Sequence, residues 1–145
     1  MTITVKRATE GDIDFIASLE EKCFSLPESR ESLLEMTDTE GKLLLTAYCD
    51  GEAAGYIGAY PVCRESDIMT VAVSEKFRGN GIGKKLLCAL EEELMGNSDV
   101  IFLEVRESNH AARRLYTSHG FSEIGVRKNY YQKPTENAIL YKKDL

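Results

Sequence analysis

A chain of 145 residues has room for one hydrophobic core, and 43% hydrophobic with 29% charged residues is the composition of an ordinary folded domain. The formal charge of −6 at pH 7 excludes the broadly basic surface that non-specific nucleic-acid binding requires. The longest apolar runs, Leu43–Ala47 and Val100–Leu103, are far too short to span a membrane, and no apolar segment of signal-peptide length follows Met1. The expectation is a single domain over 1–145, cytoplasmic, without membrane or nucleic-acid partners, and a monomer or weak homodimer.

Taken in chain order, Ile3-Thr-Val-Lys-Arg alternates like a half-buried strand. Thr9 with Asp12 forms a carboxylate variant of the capping box, and Ile13, Ile16, Ala17 and Glu20 follow at helical spacing. Pro27-Glu-Ser opens a second short helix through Leu33, Leu34 and Met36. Lys42–Cys49 and Ala53–Val62 read as strands joined by the turn residues Asp50-Gly51, and Asp67–Val73 reads as a third strand. From Gly81 the pattern changes to a long helix, with Ile82, Leu86, Leu90 and Leu94 on one face and Glu91, Glu92 and Glu93 on the others. Val100–Val105 is an apolar strand. Asn109 can cap a helix carrying Ala112, Leu115 and Tyr116, with Gly120 placed for a left-handed C-cap. Strands around Ser122–Lys128 and Ala138–Lys142 complete an α/β or α+β domain with a mixed sheet.

Cys23, Cys49, Cys63 and Cys88 lie far apart without Cys-x-x-Cys pairing, so they read as small buried hydrophobes rather than metal ligands or a redox pair. His110 and His119 have no partner at metal-ligand spacing and read as structural; no metal site is expected. One basic stretch, Lys76, Arg78, Lys84 and Lys85, stands out in an acidic chain and suggests an anionic ligand.

That stretch holds the most informative segment, Val71-Ala-Val-Ser-Glu-Lys-Phe-Arg-Gly-Asn-Gly-Ile-Gly-Lys-Lys, a strand running through a glycine-rich turn into a helix. Gly79, Gly81 and Gly83 are expected to take positive φ and let the backbone approach a ligand. The first helical turn then aims unpaired N–H groups and a favourable dipole at an anion, for which a phosphate or pyrophosphate is the natural guest. A Walker loop is excluded because Lys85 follows Gly83-Lys84 and Arg78 occupies the first glycine's place; the two-and-two glycine spacing excludes a dinucleotide fingerprint. Arg78-Gly-Asn-Gly-Ile-Gly does fit Arg/Gln-x-x-Gly-x-Gly/Ala. It resembles the pyrophosphate-binding motif of the GNAT acetyltransferases.

The resemblance continues through Val71-Ala-Val, Leu103-Glu-Val-Arg, Ser108-Asn109, Arg114-Leu-Tyr, His119-Gly-Phe and Arg127-Lys-Asn-Tyr-Tyr, in the order and spacing of the RimI-type branch, which acetylates the N-terminal alanine of a small-subunit ribosomal protein. It is continuous from about Ile68 onward. The chain departs from the branch at Ser25–Ser29, where a Trp is usual and none stands. The resemblance implies a GNAT fold: a mixed, mostly antiparallel sheet of about six or seven strands, splayed between the fourth and fifth, with about four helices. It also implies acetyl-coenzyme A as co-substrate.

Transfer to an amine calls for a base near the nitrogen and an acid near the departing sulfur. Glu104 lies in the apolar run Val100–Val105, where the residues alone allow either an outward-facing edge carboxylate or one that faces a cleft with a raised pKa suited to a base; the resemblance implies the general base. Tyr116, on the apolar helix face, reads from the residues alone as a core tyrosine; the resemblance implies a proton donor to the coenzyme thiolate. It further implies that Val71, Ala72 and Val73 hold the pantetheine arm. Arg78, Gly79, Asn80, Gly81, Ile82, Gly83 and Lys84 would hold the pyrophosphate, and Asn109 would combine capping with a coenzyme contact. Tyr130 and Tyr131 match a loop that covers the peptide in this branch. A protein N-terminal α-amine is the expected acceptor, with a small-molecule amine as the alternative and a non-catalytic acetyl-coenzyme A sensor behind it.

Overall fold

The computed structural model describes residues 1–38 and 40–145 and contains a seven-stranded sheet in the order β1-β2-β3-β4-β5-β7-β6. The strands are β1 (Ile3–Arg7), β2 (Leu43–Cys49), β3 (Glu52–Val62), β4 (Glu65–Val73), β5 (Val100–Arg106), β6 (Ser122–Tyr131) and β7 (Glu136–Asp144); the α-helices are α1 (Ile13–Cys23), α2 (Arg30–Asp38), α3 (Ile82–Leu94) and α4 (His110–Ser118). All pairings are antiparallel except β4 with β5. The expected strands and helices are all present. The Thr9 N–H donates to the Asp12 carboxylate at 2.9 Å ahead of α1, and the Asn109 side chain accepts the Ala112 N–H at 3.2 Å to start α4. The second helix starts later than Pro27 suggests: Ser29 accepts the Ser32 N–H at 3.0 Å, and helical residues begin at Arg30.

The two faces of the sheet are covered unequally. Ile82, Leu86, Leu87, Leu90 and Leu94 of α3 pack with Tyr116 of α4 on one face, against Leu45, Ala47, Ile57, Leu103, Val105 and Ile139. On the other face, Ile13, Ile16 and Leu19 of α1 and Leu33 and Met36 of α2 cover Leu44, Tyr56 and Ala72, leaving the β5–β7 end uncovered by these helices. Cys49 is buried and Cys23 and Cys88 are half-buried, but Cys63 is exposed at the β3–β4 hairpin with φ of 51°, so the buried-hydrophobe expectation fails there because a turn claims the residue.

The decisive irregularity is in β4. Gly58 of β3 pairs with Thr70 and Ala59 with Ile68, so Met69 is an extra residue, a β-bulge. With a side-chain period of two, one inserted residue reverses which face the following side chains meet. Ile68 therefore joins the α3 side of the core, while Thr70 and Ala72 face α1. There Thr70 Oγ1 donates to the Glu20 carboxylate at 2.7 Å, Tyr56 donates to the same oxygen, and the Glu28 N–H donates to the other at 2.9 Å. Glu20 and Tyr56 are almost wholly buried, and burial first, then the Glu20 charge, pushes the Tyr56 phenol well above its ordinary range. Pairing of β4 with β5 stops where the bulge begins, being confined to Glu65–Val100, Ser66–Ile101 and Asp67–Phe102. The sheet opens between the fourth and fifth strands as expected.

Removing one donor from a buried carboxylate costs about 1–3 kcal/mol. Thr70→Val keeps the shape and removes the hydroxyl. Urea unfolding is expected to show a loss of about that size; a change within about 0.5 kcal/mol would mean that Glu20 does not depend on Thr70.

Candidate functional site

From Ile68 onward β4 has no ladder partner on its β5 side, and the gap widens into a cleft of about 570 Å³. Its walls come from both strands, from the α1–α2 segment, from the start of α4 and from the end of β6. Glu104 and Tyr116 both line it and reach it from opposite faces of the sheet. In β5, Ile101, Leu103 and Val105 turn into the α3–α4 core, which places Phe102, Glu104 and Arg106 on the other face by alternation. Tyr116 arrives from the α3–α4 side, its ring packed edge-on to Phe121 at 5.6 Å and tilted to Tyr141 at 6.3 Å. The ring is buried in the core, as the residues alone suggest, and the side chain also lines the cleft. Burial, with a smaller contribution from Tyr131, pushes this phenol well above its usual range and keeps it protonated.

The Glu104 side is acidic. Arg127 Nε lies 3.6 Å from its carboxylate, a loose and partly exposed pair. The Asp67 carboxyl is raised by burial and then by the Glu104 and Glu65 charges. Tyr130 is raised first by hydrogen bonding to Glu104 and then by burial, and Tyr131 is pushed up to about 12 by burial and then by Glu104. Tyr130 and Tyr131 were expected on a loop; they end strand β6, set by a two-residue irregularity between Arg127 and Tyr131 in which Asn129 has φ of 53°. Their rings meet edge-on at 5.1 Å, and both line the cleft.

The glycine turn lies beyond the lining of this cleft, which reaches Val71 but not Ala72, Val73 or the Arg78–Lys84 turn. Gly79 and Gly81 have φ of 80° and 81°, and nothing stands within 4 Å of where a Cβ would be. Gly83 does not follow the expectation. It lies inside α3 without positive φ, and a Cβ there would come 2.9 Å from Leu115 Cδ2, so it is small for helix packing rather than for turning the chain. Arg78 Nε donates to the Val73 carbonyl at 3.0 Å, and Asn80 Nδ2 donates to the Phe77 carbonyl at 2.9 Å, so these two side chains brace the turn. The Ile82 side chain is buried in the core, leaving only its backbone available to a ligand. Lys84 and Lys85 are exposed in the first turn of α3, which contains no acidic residue. Cations at a helix N-terminus oppose the dipole, an arrangement that an anion resting on the same amides reverses. Asn109 lines the cleft while capping α4.

His119 is structural as expected, its Nε2 2.9 Å from Glu91 and its side chain nearly buried. Among the described residues no group of His, Cys, Asp and Glu is arranged to hold a metal ion, and no helix is long and apolar enough to cross a membrane. The sequence places Glu20 at helical spacing with Ile13 and Ile16 and Arg106 in the Leu103-Glu-Val-Arg motif but assigns neither a role; the fold buries Glu20 and sets Arg106 on the Glu104 face of β5.

Residues 13–121 match the model of the acetyltransferase (GNAT) family. The [ribosomal protein bS18]-alanine N-acetyltransferase of Haemophilus ducreyi is 33% identical over 144 residues, covering 94% of this chain and 96% of that protein. The crystal structure of the ribosomal-protein-S18-alanine N-acetyltransferase from Escherichia coli superposes with a TM-score of 0.88 at 28% identity, over 99% of this chain and 94% of that one. Arabidopsis thaliana NAA60, solved with a bisubstrate analogue, shares the fold with a TM-score of 0.90 at 19% identity, over 99% and 98% of the two chains.

Proposed function

The chain belongs to the GNAT acetyltransferase family, with relatives in its ribosomal-protein-alanine branch, and from that premise we propose that it moves acetyl from acetyl-coenzyme A to a protein N-terminal α-amine, alanine first, as one catalytic unit over 1–145. The carrying observation is the opening between β4 and β5, flanked from opposite faces by Glu104 and Tyr116. Relatives named for the alanine of ribosomal protein bS18 support the acceptor class.

The residues present suit acetyl-coenzyme A: an open two-glycine turn, the amides at the start of α3 with Lys84 beside them, and a Val71–Val73 stretch of β4 that pairs with β3 but has no β5 partner among the described residues. In this reading the pyrophosphate rests on the Gly79–Lys84 turn and the thioester enters the opening from the α3–α4 side. The acceptor amine enters from the Glu104 side, under Tyr130 and Tyr131. Glu104 accepts a proton from the ammonium, directly or through water. The nitrogen attacks the thioester carbonyl, the C–S bond breaks, Tyr116 gives its proton to the departing thiolate, and the nitrogen's second proton leaves through solvent, which returns a proton to the Tyr116 phenol. Burial serves the last step by keeping the phenol protonated until a thiolate forms beside it. One carboxylate is sufficient help for an α-amine of pKa about 8, of which about a quarter is already neutral at pH 7.5, whereas a lysine near 10.4 is almost wholly charged.

A panel of N-terminal hexapeptides, polyamines and amino acids assayed for coenzyme A release tests the acceptor class: alanine-starting peptides should lead, and turnover of free polyamines alone would overturn the assignment. Gly81→Val places a β-branched side chain at positive φ in the open turn and should abolish acetyl-coenzyme A binding in calorimetry, while an unchanged Kd would remove the turn from the site. For Tyr116→Phe the expectation is wild-type coenzyme affinity with kcat lower by roughly 10²–10⁴-fold. A rate within a few-fold of wild type would leave Tyr116 as packing.

Glu104→Gln keeps size and hydrogen bonding but accepts no proton. Below the amine's pKa of about 8 the substrate enters charged, and the variant should lose roughly 10²-fold or more in kcat/KM near pH 7. Above it bulk solvent removes the proton, so the deficit should shrink as pH rises. Profiles from pH 6 to 10 on an alanine-starting peptide that stay parallel would take Glu104 out of proton transfer.

A further inference from the structure

Arg106 has no part in the chemistry above, yet it makes the densest set of polar contacts around the cleft. It stands two residues after Glu104 on the same face of β5, one pleat repeat away, and its side chain is about one quarter exposed. Nη2 donates to the Gln132 carbonyl at 2.7 Å and to Ser25 Oγ at 3.0 Å. Nη1 donates to the Pro134 carbonyl at 2.8 Å and lies 3.3 Å from Glu136 Oε1, and the guanidinium sits 4.6 Å from the centre of the Tyr131 ring. Ser25 Oγ also donates to the Gln132 carbonyl at 3.2 Å. Ser25 belongs to the α1–α2 segment and Gln132 to the β6–β7 turn, 107 residues apart, and both line the cleft.

We infer that Arg106 is a positioning residue for the acceptor: its fork staples the α1–α2 segment to the β6–β7 turn and so fixes the height of Tyr130 and Tyr131 above Glu104. The staple rests on the reading that the acceptor occupies the Glu104 side. A planar fork meeting two carbonyls, a hydroxyl and a carboxylate at once is a task for arginine, since lysine offers a single point of charge. The coenzyme turn at Gly79–Lys84 makes none of these contacts, so loss of the staple should act on the acceptor alone.

Arg106→Met, Arg106→Lys and Ser25→Ala test this by two independent readouts. In steady-state kinetics on the alanine-starting peptide, Arg106→Met should raise the acceptor KM about tenfold or more, with the acetyl-coenzyme A Kd within about twofold of wild type. Arg106→Lys should recover the melting temperature more fully than the KM, because it restores charge without the fork. Ser25→Ala, at an exposed residue, should raise KM by a smaller factor and keeps the idea testable if Arg106→Met does not fold. An acceptor KM within about twofold of wild type in the folded variants, or an equal loss of acetyl-coenzyme A affinity, would overturn the inference. Hydrogen exchange should rise together in segments 24–29 and 130–136 of the variants, and a rise in one segment alone overturns the staple. If wild type released no coenzyme A with any amine, the functional reading would fall while the exchange result still decided the staple.

Discussion

One extra residue in one strand, Met69, organises this molecule. A sheet strand that keeps perfect register with both neighbours leaves no room for a ligand between them, and a parallel pair such as β4–β5 would otherwise continue to the strand ends. The bulge bends β4 away just as its pairing with β5 stops, and the reversal of side-chain direction turns Thr70 toward Glu20. Glu20 is costly to bury, and it persists because three donors converge on it: the Tyr56 and Thr70 hydroxyls and the Glu28 amide. The same carboxylate therefore holds the displaced strand and, through Glu28, the end of the α1–α2 segment that walls the cleft. Strand displacement and cleft wall are one packing solution.

Charge is divided along the same line. The start of α3 concentrates exposed cations at Lys84 and Lys85, while the β4–β5 side carries Glu65, Asp67 and Glu104, and the Asp67 carboxyl is raised by burial and then by the other two charges. An acidic chain with one basic end is suited to two substrates of opposite charge, a polyanion on one face of the sheet and an ammonium on the other. Such a division also discourages each from occupying the other's place.

The segments legible in the sequence were those in which local chemistry and final structure agree. The α3 stripe from Ile82 to Leu94, the Asn109 cap and the positive φ of Gly79 and Gly81 each need only near neighbours to be decided. Family resemblance supplied the splayed sheet; periodicity could not, because a bulge leaves a run such as Ser66–Val73 looking like an ordinary β-former stretch. Gly83 was misread because the reason for its smallness is Leu115, on another helix. Arg106 and Glu20 carry no role in the sequence for the same reason: their partners lie from 8 to 81 residues away, and a charged residue is silent until the fold shows what it meets.

Access from two faces also bears on the order of bond making. Tyr116 and Glu104 belong to opposite sides of one strand layer, so in the proposed reaction an acid and a base could act in a single complex without either moving across the sheet. A two-step route would need a nucleophile in the gap to carry the acetyl group from one face to the other. Among the described residues the one thiol lining the cleft is Cys23, which ends α1, packs with the α1–α2 core on the Glu104 side of the sheet and has Arg78 Nη2 3.7 Å from its sulfur. For the proposed transfer, direct attack within a ternary complex would need no rearrangement of these elements, and any rearrangement would have to break the hydrogen bonds that converge on Glu20.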